Sequence, residues 1–163
     1  MSTSAERGTY PVPPDELARF ANMAREMSGL TVLFHSRIAE QMGVSATDYK
    51  CLDIAMRVDE PLTAGQIAKM SGLSTGAVTG VIDRLEKHGF VRRVRDPHDR
   101  RKVLVEVTKM DETKYAHMFM GAMESMHNVL SRFTPEEREV VERFQRVSIE
   151  GFREEAFAGL DNG

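Results

Sequence analysis

Thr63-Ala64-Gly65-Gln66-Ile67-Ala68-Lys69-Met70-Ser71-Gly72-Leu73-Ser74-Thr75-Gly76-Ala77-Val78-Thr79-Gly80-Val81-Ile82-Asp83-Arg84-Leu85-Glu86-Lys87 reads as two short helices joined by a tight turn. Thr63 followed by Gln66 is a capping box, in which each side chain satisfies a backbone N–H of the helix start. Ile67, Ala68 and Met70 supply the apolar side of this first helix. Gly72 suits the left-handed conformation that ends a helix, and Leu73 plugs the turn. Ser74 caps the second helix, whose Val78, Val81, Ile82 and Leu85 fall three and four residues apart on one stripe. Thr75, Gly76, Thr79, Gly80, Asp83 and Lys87 therefore face away, on a surface whose N-terminal half is small. Small residues let something bulky approach closely, and a DNA major groove about 12 Å wide admits a helix in that way.

Beyond His88-Gly89-Phe90 the period changes to that of a strand. Val91 to Arg95 forms one strand and Asp96-Pro97-His98-Asp99 a turn. Val103, Val105 and Val107 then alternate with Lys102, Leu104 and Glu106 on the return. The expected product is a two-stranded wing. Segment 84–102 holds eight basic residues against three acids, a net of +5, which leaves −8 for the rest of a chain of net charge −3. The overall balance argues against a nucleic-acid partner, but its distribution argues for one.

The flanks are helical. Pro13-Pro14-Asp15-Glu16 starts a helix, with proline in the first turn and acids at the positive end of the dipole. Its apolar face runs through Leu17, Phe20, Ala21, Ala24, Leu30, Phe34 and Ile38 to about Gln41, and Gly43 ends it. Ser45 caps a helix to about Arg57, with Leu52, Ala55 and Met56 apolar, and Asp59-Glu60-Pro61 breaks the chain. Thr108 is the expected cap of a helix to about Ser131, and Thr134-Pro135-Glu136-Glu137 starts a last one carrying Val140, Phe144, Val147 and Phe152. The apolar faces of the long first and last helices exceed what one winged module can cover, so a second subunit is expected to cover them. The fold class is mainly α with a small β wing, in three parts: a loose arm over 1–12, a winged helix-turn-helix over 45–108, and dimerisation helices over 13–42 and 109–157.

Two segments carry a resemblance. Leu73-Ser74-Thr75-Gly76-Ala77-Val78-Thr79-Gly80-Val81-Ile82-Asp83-Arg84-Leu85-Glu86-Lys87-His88-Gly89-Phe90-Val91 and Asp96-Pro97-His98-Asp99-Arg100-Arg101, followed by Val107-Thr108, resemble the recognition helix and wing of the MarR (multiple antibiotic resistance regulator) family of bacterial transcription factors. The likeness spans about residues 14–155. It implies a homodimer held by the first and last helices on a pseudo-palindromic operator in double-stranded DNA, with half-site centres roughly 10 bp apart. Ser74, Thr75, Gly76, Thr79 and Gly80 would form the groove-facing surface, and Arg84 would meet the DNA backbone near the helix end. Arg95, Arg101 and Lys102 would add basic contacts. Arg100 would enter the minor groove, where narrow A·T-rich stretches attract arginine, with Asp99 and Arg101 bracing that tip. Two departures stand out. Gly80 replaces the longer polar or basic side chain of many relatives, and Lys109-Met110-Asp111-Glu112 replaces a glycine-containing helix entry.

Other chemistries are weaker. Gly72, Gly76 and Gly80 lack the preceding strand and following Gly-Lys-Ser/Thr of a phosphate loop. His117 and His127 lie ten residues apart, off a common helix face. With no His-x3-His pair, neither a metal site nor any other cofactor is expected. The lone Cys51 excludes an internal disulfide framework and fits a reducing compartment, the cytoplasm. A redox-sensing role for Cys51 is an alternative, although its place beyond the helix start offers little to stabilise a thiolate. Met110, Met118, Met120, Met123 and Met126 crowd one helix and should mostly be core, while thioethers also line adaptable pockets. A small apolar or aromatic effector is expected near His35, Tyr49 and Met118. No nucleophile, base and orienting acid stand at suitable spacing, so no enzyme activity is expected. A winged-helix protein-interaction module is the remaining rival. No secretory signal and no run near the roughly 18 apolar residues of a membrane span is present.

Overall fold

The computed structural model of the chain describes residues 10–108 and 112–158, with the side chains of 112–118 and of 157 left undescribed. In order, the elements are α1 (Pro14–Met42), α2 (Ala46–Met56), β1 (Leu62–Thr63), α3 (Ala64–Ser71), α4 (Thr75–Lys87), β2 (Val91–Arg95), β3 (Val103–Val107), α5 (Glu112–Leu130) and α6 (Pro135–Phe157). They form two compact units, one over 13–116 and the other on the helices from residue 117 onward.

Local chemistry explains the helix starts. Ser45 Oγ accepts from the Asp48 N–H and Asp48 accepts from the Ser45 N–H, while Thr63 and Gln66 exchange the same pair of bonds. Ser74 Oγ accepts from the Ala77 N–H, and Thr134 forms a capping box with Glu137. Gly43 and Gly72 end α1 and α3 in the left-handed conformation, each at φ 71°.

The core of the first unit lies between α2, α3, α4 and the sheet, and the last turns of α1 close it with Ile38, Ala39 and Met42. Tyr49, Leu52, Ile67, Ile82 and Leu85 are its largest fully buried side chains. On α3 the buried positions are Ile67, Ala68 and Ser71; the expected Met70 is 44% exposed. Ser71 occupies the inward position one helical turn after Ile67 and meets its polar needs locally, its hydroxyl donating to the Ala68 carbonyl.

The wing is a three-stranded antiparallel sheet of order β1-β3-β2, one strand more than expected. Arg93 faces Val105 and Arg95 faces Val103 across the hairpin, while Leu62 pairs Val105 on the other side. Thr63 serves as both strand end and helix cap, so β1 runs directly into α3. Thr108 also differs from expectation. Its hydroxyl donates to the Gly89 carbonyl and its N–H to the Phe90 carbonyl, tying β3 to the exit of α4, and the described α5 begins only at Glu112.

The faces of α1, α5 and α6 remain open in the single chain. Leu17, Met23, Met27 and Leu30 on α1, and Val140, Val147 and Phe152 on α6, are each more than half exposed. Met120, Met123 and Met126, expected mostly to be core, are exposed in the single chain; Met110 and the side chain of Met118 lie outside the described residues.

Candidate nucleic-acid interface

α4 buries Val78, Val81, Ile82 and Leu85, which turns Thr75, Gly76 and Thr79 outward, with Gly80 half-buried beside them. A Cβ added at Gly76 would meet nothing within 4 Å, so this part of the helix is open to close approach. Ser74 uses an oxygen lone pair to cap the helix and keeps its O–H for an outside acceptor. Thr79 behaves differently. Its hydroxyl donates to the Thr75 carbonyl at 2.9 Å, which leaves it a methyl and acceptor lone pairs to offer a ligand.

Arg84 is held more tightly than a free backbone-binding arginine. Its Nε donates to both carboxylate oxygens of Asp48, at 3.1 and 3.2 Å, and its Nη2 to Oδ1 at 2.6 Å. The Asp48 side chain is 4% exposed and that of Arg84 55%. Burial alone would raise the Asp48 carboxyl, but hydrogen bonds from Arg84 and Ser45 outweigh it and hold the group below its ordinary range. Asp48 is the site residue that sequence reasoning missed, and its only local signal is its place in the Ser45 capping box.

Salt bridges fasten the wing to α4. Arg93 bridges Asp83 and Glu86 on α4, and its N–H donates to Glu86. Arg92 pairs across the hairpin with Glu106. These pairs neutralise two of the basic residues in the 84–102 stretch, so the uncompensated charge shifts toward the turn. There, Asp96 Oδ1 accepts from the N–H groups of His98 and Asp99, an Asx turn that pulls its carboxyl below the ordinary range. Asp99 Oδ1 accepts from both the N–H and the Nε of Arg101, at 3.1 and 3.2 Å, and Arg95 Nη1 donates to the Arg100 carbonyl. Asp99 thus holds Arg101 and Arg95 holds the Arg100 backbone, while the side chains of Arg100, Arg101 and Lys102 stand exposed at the tip.

Of the expected effector residues, His35 and Tyr49 lie against each other, and the side chain of Met118 is outside the described residues. The Tyr49 ring is buried to 2% exposure and packs tilted against His35 at 5.5 Å between ring centres, so it is part of the α1–α2 core. A cavity of about 540 Å³ lies elsewhere, among Ala55, Met56, Pro61, Val105 and Val107. Cys51 is 2% exposed, and burial pushes its thiol up against partial opposition from Ser71. Burial and a raised thiol both disfavour the nucleophilic thiolate, so the site lends the redox alternative no support. No described helix is long and apolar enough to cross a membrane.

The model of the MarR family matches residues 44–103. The chain is also 39% identical over 120 residues to an HTH-type transcriptional regulator of Bacillus subtilis, YcgE, covering 74% of this chain and 77% of that one. The chain belongs to the MarR family. A MarR-family protein from Bacillus stearothermophilus superposes with a TM-score of 0.69 at 22% identity, over 88% of this chain and 99% of that one. Sco3205 from Streptomyces coelicolor, a MarR family regulator in complex with DNA, superposes at 0.58 and 21% identity over 90% and 92%. The two superpositions agree with the mainly helical, winged architecture, and the relatives in the family are transcriptional regulators.

Proposed function

We propose that this MarR-family regulator acts as a homodimer on a pseudo-palindromic operator and represses transcription until a small apolar or aromatic effector weakens its hold. The observation that carries this reading is the open, small-residue face of α4 beside a wing that displays Arg100, Arg101 and Lys102. Ser74, Thr75, Gly76, Thr79 and Gly80 would line the major groove with Arg84 at its edge near the DNA backbone, Arg95 would face phosphates, and Arg100 would enter the minor groove. α1 and α6 would pair two copies through their exposed apolar faces. Release would be a population shift: an effector preferring a dimer with its reading heads wrongly spaced lowers DNA affinity by its differential binding alone. The protein would act in the cytoplasm and carry no enzymatic activity.

The experiment is fluorescence anisotropy on duplex DNA from upstream of the protein's own gene, against a scrambled duplex, across a salt series. Tighter binding to the upstream duplex with a steep salt slope is expected, since each phosphate contact releases counterions. Absence of binding to any duplex at low salt would favour a protein-interaction module instead.

A further inference from the structure

Gly80 is more than a missing side chain. Arg84 lies one helical turn further along α4, and helical side chains lean back toward the N-terminus. A Cβ built on Gly80 would come within 3.4 Å of Arg84 Nη1, so the guanidinium lies back over the space that a side chain at position 80 would fill. Its other edge, Nε and Nη2, is taken by the buried Asp48 carboxylate. An arginine fork gripped along one edge cannot rotate freely, and its remaining edge points in a fixed direction. Among the described residues Nη1 makes no hydrogen bond.

We infer that Asp48 is a specificity-determining positioning residue: by gripping Arg84 from α2 it lays Nη1 over Gly80 as a fixed donor to a base acceptor in the groove. The inference rests on the DNA-reading role proposed above. Gly80 supplies the seat, Arg84 the donor and Asp48 the direction, so the polar group that a glycine cannot present at position 80 is supplied from position 84. Without the carboxylate, Arg84 still carries its charge but samples many directions, and a mobile cation attracts every phosphate while distinguishing few bases.

The test starts from a random-sequence duplex pool enriched with the wild-type protein, followed by anisotropy on the enriched duplex and on a scrambled one. Asp48→Asn is expected to lower the preference for the enriched duplex about tenfold, the scale of one good base contact, while binding to the scrambled duplex holds or rises because a negative charge is gone. In an Arg84→Ala background, Asp48→Asn should change that preference no further, the signature of two residues acting as one. A merely structural role for Asp48 as the α2 cap would lower thermal stability and leave the preference unchanged, as Ser45→Ala should, and that outcome overturns the inference. Equal loss on both duplexes also overturns it, because Arg84 would then touch phosphate only. If Asp48→Asn fails to fold, Gly80→Leu fills the seat without disturbing the cap. Its effect should shrink in the Arg84→Ala background, and an effect of the same size there overturns the inference. A wild-type protein that enriches no sequence would instead overturn the DNA-reading role itself.

Discussion

Within the proposed DNA-reading role, Arg100 and Thr79 stand at opposite ends of what a single side chain can contribute. Arg100 sits at the tip of a turn whose backbone is fixed by Asp96, Asp99 and Arg95, while its own side chain reaches into solvent. Arg100→Ala should therefore weaken operator binding by about 1–3 kcal/mol and leave the dimer intact in sedimentation. Unchanged affinity would remove Arg100 from the minor groove. Thr79, with its proton committed to the Thr75 carbonyl, can offer a base only a methyl or a lone pair. Contact with a thymine methyl follows from that chemistry, so Thr79→Ala should shift half-site preference in an enrichment experiment by less than Arg100→Ala shifts affinity. A uniform loss across all sequences would place Thr79 on phosphate.

Between elements, the relevant energies are those of caps and packed faces. Ser74→Ala removes the oxygen that satisfies the Ala77 N–H at the start of the recognition helix, and should cost about 1 kcal/mol of stability in a denaturant titration. The α1–α2 contact carries a pH signature. Burial, with the nearby Asp53 charge adding to it and Arg57 opposing, pushes the Tyr49 phenol from 10.0 up to about 12. A group whose folded pKa lies above its unfolded one contributes stability that is complete below pH 10 and lost as pH rises toward 12. Denaturant midpoints should fall across that window, and Tyr49→Phe should flatten this part of the decline; an equally steep fall in the variant would put its source elsewhere. Helix starts were legible in advance because Ser45, Thr63, Ser74 and Thr134 act on backbone within three residues. β1 was not, since two residues after Pro61 make no period. The Asp48–Arg84 grip was not either, because it joins residues 36 apart that only the packing of α2 under α4 brings together.

On the scale of the whole molecule, the buried core and the exposed apolar faces belong to different tasks. Every buried apolar side chain among the described residues falls between Ile38 and Val105, so the winged unit is stabilised by contacts that leave most of α1, α5 and α6 uncommitted. A long amphipathic helix has little reason to keep Val140, Val147 and Phe152 on one chain's surface unless a second copy covers them. The expected effector site, by contrast, was less legible than the helix starts, because periodicity does not separate a pocket wall from a core face: Tyr49 packs in the core against His35. If the dimer is what joins two weak half-site contacts into one strong operator contact, the joining can be broken without touching DNA-facing residues. Val147→Glu puts a charge on the α6 face, and should yield the mass of one chain in sedimentation while the winged unit still unfolds cooperatively. Operator affinity should then drop by about 10²–10⁴-fold, the range by which linking two sites exceeds either alone. Binding to an isolated half-site should stay near the wild-type value. A variant that remains dimeric with full operator affinity would place the subunit contact away from the Val147 face of α6.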